Sequence, residues 1–476
     1  MTDTILTADT RLEHDLLGDR AVPQSAYWGI HTLRAVENFP ITGQRLSETP
    51  DLIVALAMIK QAAAEANATL GLLSPEIADA IIAACLEIRD GKLHDQFVVD
   101  LIQGGAGTST NMNANEVIAN RALELLGHRR GDYARLHPNE HVNLGQSTND
   151  VYPTALKLAA WTGIGRLVQA MDGLRLAFAD KSAEFSDVLK MGRTQLQDAV
   201  PMTLGQEFGT YALMLAEDQS RLHEASDLIR EINLGATAIG TGITAHPDYA
   251  ALVRERLSLI SGEDLITAPD LVEATQDCGA FVQLSGVLKR VAVKLSKTCN
   301  DLRLLSSGPR AGLNEINLPA RQAGSSIMPG KVNPVIPEVV NQIAFEVIGN
   351  DMTITMAAEA GQLQLNAFEP IIFYSLHRSL SHLTAGCQTL EAHCIRGITA
   401  NRDQLRMTVE NSIGIVTALN PYIGYRNATE VALEAHRSGR GVAEIVLERQ
   451  LLTREQLDRL LRPENLTRPQ PLLSKL

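Results

Sequence analysis

From about Asp150 onward, apolar residues recur at i, i+3, i+4 and i+7 in one long stretch after another. The pattern predicts five long helices. The first runs from about Pro153 to Phe185, with Leu156, Ile164, Leu167, Met171 and Leu174 on one side. The others run from about Thr203 to Ile232, Gln276 to Leu305, Pro337 to Ala360 and Asn366 to Ile398. Thirty helical residues extend about 45 Å, twice the usual globular helix. Five such rods in succession predict an elongated five-helix bundle. The third rod carries Cys278, Phe281, Val282, Leu284, Val287, Leu288, Val291, Leu295, Cys299, Leu302 and Leu305, more than one stripe. A helix apolar on several sides must be surrounded, and five helices cannot surround every member. Bundles from different subunits are therefore expected to pack together.

The flanking regions have a different texture. Residues 1–145 hold short helical patterns, Asp51 to Leu70 and Pro75 to Ile88, separated by Gly- and Asn-rich loops. The segment 399–476 is a polar-rich tail with helical patterns at Ala428–Ser438, Val442–Arg449 and Thr453–Leu461. The expected organisation is an N-terminal domain (1–145), a central long-helix bundle (146–398) and a small helical C-terminal domain (399–476). The fold class is mainly all-α.

Composition sharpens this reading. Aromatics are only 4% of the 476 residues, so Ala, Leu, Ile and Val must fill the core, which favours packed helices over sheets. The formal charge of −13, from 42 basic and 55 acidic residues, disfavours nucleic acid or an anionic membrane as partner. A few local cations can still hold a small anion. No apolar run approaches the ~20 residues of a membrane span, and the first fifteen residues lack a basic start and apolar core. The five cysteines form no C-x-x-C pair and read as reduced, buried thiols. A cytoplasmic location is the expectation.

Several motif matches fail on context. His137-Pro138-Asn139-Glu140-His141 fits a zinc-protease pattern that needs both histidines on one helical face, but Pro138 and Asn139 read as a turn. Gly324 to Lys331 is one residue too long for a phosphate loop, and Val332 follows the lysine. Gly240 to Ala245 follows no β-branched strand, as a dinucleotide fingerprint would. Three polar segments at rod ends survive. Gly104 to Asn113 precedes a helix expected near Asn115, Gln146 to Asp150 precedes the first rod, and Gly324 to Pro334 precedes the fourth. Hydroxyls and amides beside helix N-termini suit a carboxylate, although Ser, Thr, Asn and Asp serve equally as ordinary caps. The third segment has glycines around two serines, a lysine and an asparagine, the pattern of a mobile active-site lid.

That third segment, Gly324-Ser-Ser-Ile-Met-Pro-Gly-Lys-Val-Asn-Pro334, resembles the signature of the aspartase/fumarase superfamily. Asp15 to Pro23, Gly192 to Glu207 and Ser306 to Glu315 extend the resemblance over nearly the whole chain. The resemblance implies removal of a proton next to a carboxylate and expulsion of a group from the neighbouring carbon, giving fumarate or a fumaryl product. It implies Ser325 as general base, Ser326 as a substrate contact, and Lys331 and Asn333 on a substrate carboxylate. Thr108, Ser147, Thr148, Asn149 and Thr194 match the remaining substrate contacts. These segments would meet only where three subunits share a site, so a homotetramer with a twenty-helix core is implied. Gln195 stands where fumarases carry a histidine. This favours loss of ammonia from L-aspartate over loss of water, whereas His137-Pro138-Asn139 resembles a fumarase segment and pulls the other way. A hydratase is thus the competing reading, and a catalytically retired structural relative a third, which would leave gaps in the 324–334 loop. No cofactor is required by this chemistry. Some members respond to divalent cations, and the sequence reveals no site for one.

Overall fold

The computed structural model describes residues 9–469. The reading of the N-terminus therefore falls outside the described residues as far as Ala8. The chain is mostly helical, as the hydrophobic pattern predicts. Among the described residues, five helices have 25 to 37 residues: Thr148–Glu184, Leu204–Leu228, Gly279–Leu305, Val335–Glu359 and Glu369–His393. The expected rods are all present, with ends shifted by a few residues. The third is shorter at its start because Leu271–Gln276 forms a separate helix, and Gly279 opens the rod.

The chain forms two compact units. Met1–Val168, Ser220–Arg290 and Glu346–His382 make the first, and Gln169–Gln219, Val291–Phe345 and Leu383–Leu476 the second. Each long helix thus contributes residues to both.

Within the first unit, the Ala-rich helices Pro50–Thr69 and Pro75–Arg89 pack together. Each begins with proline, whose missing N–H costs nothing at a helix start. Leu52, Ile53, Leu56, Ile59, Ile81 and Ile88 are buried there. The rods also meet side by side. Ser285 Oγ donates to Asp351 Oδ1 at 2.8 Å, and Asn350 Nδ2 to Ser379 Oγ at 3.1 Å.

In the second unit, Asn341 Nδ2 donates to Ser296 Oγ at 2.8 Å, and Tyr211 donates to Asp301 at 3.0 Å. Phe178, Phe185, Phe208 and Tyr211 form an aromatic knot with ring centroids 5.4 to 6.1 Å apart. The tail helices Tyr425–Ser438, Val442–Glu448 and Arg454–Leu460 bury Val431, Ile445, Val446 and Leu457. Met191 joins that core.

The hydrophobic pattern did not reveal two β-hairpins, Thr10–Asp15 with Gly18–Pro23 and Leu189–Thr194 with Gln197–Thr203. Both invert the usual polarity. In the first, Arg11 and Glu13 point inward while Leu12 is exposed. In the second, Lys190 is buried among charged partners. Charged residues on the inner face erase the alternation that marks a strand.

The five cysteines are free and buried. Among the described residues, no helix is long and apolar enough to cross a membrane.

Candidate active site

The polar segments from Gly104 and Gln146 belong to the first unit and are linked there. The helix expected near Asn115 begins at Thr108, so Thr108 to Asn113 are helical rather than a loop. Gly107 caps it with φ +88°, and the Tyr152 ring lies so close that a Cβ at this position would fall 2.4 Å from it. Only glycine fits. The Thr108 hydroxyl donates to Gly105 O at 2.7 Å. One turn on, Asn111 Nδ2 donates to Thr148 Oγ1 at 3.2 Å, which joins the two segments.

Ser147 caps the first long helix. Its hydroxyl accepts from Asn149 N at 3.2 Å, and Ser147 N donates to Asp150 Oδ1 at 3.0 Å. Asp150 also accepts from Gly235 N and Thr237 N. Burial pushes its carboxyl up to about 6, against the pull of these three N–H donors. Pro153, inside the first turns, has no N–H to give Asn149 O, and Asn233 Nδ2 fills the gap at 3.0 Å. Asn149 Nδ2 in return donates to Ala238 O at 2.7 Å. The helix start is thereby fixed to the 233–238 segment, with Thr108, Ser147 and Asn149 half-buried and Thr148 buried.

Beneath this start lies a group the sequence reading missed. Lys60 is fully buried and donates to Asn143 Oδ1 and Gln146 Oε1, both at 2.9 Å. Burial brings its ammonium down to about 7. Asn111 and Asn115 donate to the same Asn143 oxygen. The available signal was a lone lysine in an otherwise apolar, Ala-rich run.

Ser325, Ser326, Lys331, Asn333 and Thr194 belong to the second unit. The loop carrying the first four has no helix or strand and is closed at its base. Gly324 N donates to Lys331 O at 2.8 Å, and Asn333 Nδ2 donates to Gly324 O at 2.6 Å. A Cβ on Gly324 would lie 2.6 Å from Lys331 O and 2.7 Å from Asn333 N, so the closure requires glycine. Ser325 Oγ accepts from Ile327 N at 3.2 Å and Met328 N at 2.9 Å. Ser326 and Lys331 are exposed, and among the described residues Lys331 has no ion-pair partner. Lys331 and Asn333 line a cavity of about 780 Å³ with Arg303, Ser306, Asn314 and Glu338.

Thr194 lies at the tip of the second hairpin. The turn is made by Gln195 and Leu196 at φ +54° and +64°. Left-handed backbone costs a non-glycine residue about 1 kcal/mol, so this exposed tip holds strain of the kind that collects at functional sites. No hydrogen bond or ion pair among the described residues joins Thr194 to the Ser325 loop.

The segment around His137 differs from the expected turn. Pro138–Val142 is a short helical turn in which His137 N donates to His141 Nδ1 at 2.8 Å. Among the described residues no group of three or more His, Cys, Asp or Glu could hold a metal ion.

The match to known families sets the class: a lyase of the aspartase/fumarase type. The lyase family profile matches residues 18–349, and the fumarase C C-terminus profile matches residues 415–468. The chain is 62% identical to an aspartate ammonia-lyase of Pseudomonas fluorescens over 97% of both chains. It resembles the crystal structure of a fumarate lyase:delta crystallin from Brucella melitensis bound to cobalt. There the TM-score is 0.95 and the identity 56%, over 97% of this chain and 100% of that one. A class II fumarase from Schistosoma mansoni gives a TM-score of 0.90 at 36% identity, over 96% and 98% of the two chains. The chain belongs to this lyase family.

Proposed function

We propose that this chain is an aspartate ammonia-lyase, converting L-aspartate reversibly to fumarate and ammonia. The observation that carries this reading is the full-length 62% identity to a protein of that name. Gln195 at the hairpin tip supports the same branch. Fumarase-type loss of hydroxide needs an acid, whereas an ammonium group leaves with its own protons.

Ser325 takes the proton from the carbon next to one carboxylate. The electron pair spreads into that carboxylate as an aci-carboxylate, then forms the double bond as ammonia leaves the neighbouring carbon. A serine hydroxyl is a weak base unless its alkoxide is stabilised. The two backbone N–H groups aimed at Ser325 Oγ favour that charged form. Lys331 supplies positive charge to a substrate carboxylate, with Asn333 and Ser326 beside it. Thr108, Ser147, Thr148, Asn149 and Thr194 hold the rest of the dicarboxylate. The two backbone N–H donors at Ser325 Oγ, the cap at Ser147 and the exposed Lys331 are what support these roles.

The three segments come together where three subunits share a site, within a homotetramer. Exposed apolar residues along the Val335–Glu359 rod support this: Phe345, Ile348, Met352 and Met356 recur on one face. The three-part division at 145 and 398 and a cytoplasmic location complete the proposal. No cofactor is needed for the elimination, and a divalent cation, where a family member responds to one, acts as an activator.

The hydratase reading draws on the fumarase likeness and on His137-Pro138-Asn139, and Gln195 weighs against it. Incubating the purified protein with L-aspartate and recording fumarate absorbance tests the proposal. Accumulation of fumarate with equal ammonia supports it, and absence of both contradicts it.

A further inference from the structure

The hairpin that carries Thr194 and Gln195 rests on a charge network buried in the second unit. Lys190 and Glu315 are each 2% exposed at the side chain. Lys190 Nζ lies 2.5 Å from Glu207 Oε2 and 2.9 Å from Glu315 Oε2. The second contact is an ion pair off the line of a hydrogen bond, since Oε2 accepts none. The other oxygen, Oε1, accepts from Arg193 Nη1 at 2.5 Å. Arg193 is the residue immediately before Thr194, and its side chain is 18% exposed. Two cations and two carboxylates balance in charge.

Glu315 is itself tightly held. Its N donates to Leu305 O and its carbonyl accepts from Asn401 N, both at 2.9 Å. On the return strand, Asp198 accepts from Ser412 Oγ at 3.2 Å. The hairpin is therefore gripped on both strands below a strained and exposed tip. Left-handed backbone at Gln195 and Leu196 is what a two-residue hairpin loop requires, so fixing the paired strands below also fixes the tip.

We propose that Glu315 is a positioning residue, holding Arg193 so that Thr194 and Gln195 meet the substrate in fixed register. This rests on the lyase reading above. Misplacement of a binding group by about 1 Å costs up to about 10²-fold. Because Thr194 grips a carboxylate present in substrate and transition state alike, the loss appears in KM rather than kcat.

The test is steady-state kinetics with L-aspartate on the full-length wild-type, Glu315→Gln, Arg193→Gln and double variants. Each single variant is expected to raise KM by roughly 10- to 10²-fold with kcat per folded protein nearly unchanged. The double variant is expected to be no worse than the worse single, as for residues acting as one unit. A purely structural role would instead lower the folded fraction and leave KM alone, which would overturn the proposal. Multiplying effects in the double variant would also overturn it. If Glu315→Gln does not fold, Arg193→Gln, nearer the surface, decides alone: an unchanged KM overturns the proposal. A wild-type protein that releases no fumarate overturns the lyase reading and this role with it. A normal wild type beside a normal Glu315→Gln overturns the positioning role only.

Discussion

Ser325 occupies a loop position where removing a hydroxyl disturbs no core, since its neighbours Ile327 and Met328 are exposed. Ser325→Ala is expected to cost at least the ~10² of a lost general base, and up to about 10⁴. Fold and assembly should be unaffected. Near-normal turnover in the assembled variant would remove Ser325 from the mechanism. Glu369 presents a different kind of residue, a buried carboxyl that burial pushes up to about 8, with Lys157 pulling the other way. Its folded pKa lies above the unfolded carboxylate value, so the folded state holds the extra proton between about 4.3 and 8. Stability therefore falls as pH rises through that window. Glu369→Gln, which cannot ionise, should be more stable than wild type at pH 9, by on the order of a few kcal/mol at most, and little changed at pH 4. Chemical denaturation at the two pH values checks the sign.

At the scale of elements, the long rods were legible because each repeats one apolar pattern for 25 residues or more. The short helix starts were not. The polar run Thr108 to Asn113 reads as loop, yet Asn111 and Asn113 turn inward to bond Thr148 Oγ1 and Gln96 O, so their polarity is consumed by packing. The hairpins were hidden for the same reason, with Arg11, Glu13 and Lys190 buried in ion pairs where apolar residues were expected. Of the candidate site, the residue identities came from the family resemblance. The supporting framework of Lys60, Asn143 and Glu315 came only from the structure, because a buried charge and a surface charge are spelled alike. The Gly324 loop closure is an element-scale feature with its own test. Gly324→Ala places a Cβ against Lys331 O and Asn333 N and should open the loop base. Activity should fall at least tenfold, the scale of a misplaced catalytic group, while the melting temperature stays close to wild type because the loop is exposed. Unchanged kinetics would show that loop closure is dispensable.

For the whole molecule, the exposed apolar face on the Val335–Glu359 rod calls for a partner surface. The protein is expected to sediment as a homotetramer at micromolar concentration, with no active monomer. A stable monomer with full activity would contradict both the shared site and the packing argument. What separates the lyase from a hydratase is the group that leaves. L-Malate must lose a hydroxide, which departs slowly unless an acid protonates it, and the Gln195 amide cannot act as that acid at neutral pH. L-Aspartate needs no such donor. The most direct measurement is kcat/KM for fumarate formation from the two substrates, side by side on one preparation. L-Aspartate should lead by at least ~10², the value of a general acid that malate lacks here. Equal or faster elimination from L-malate would contradict the account and leave the hydratase reading standing.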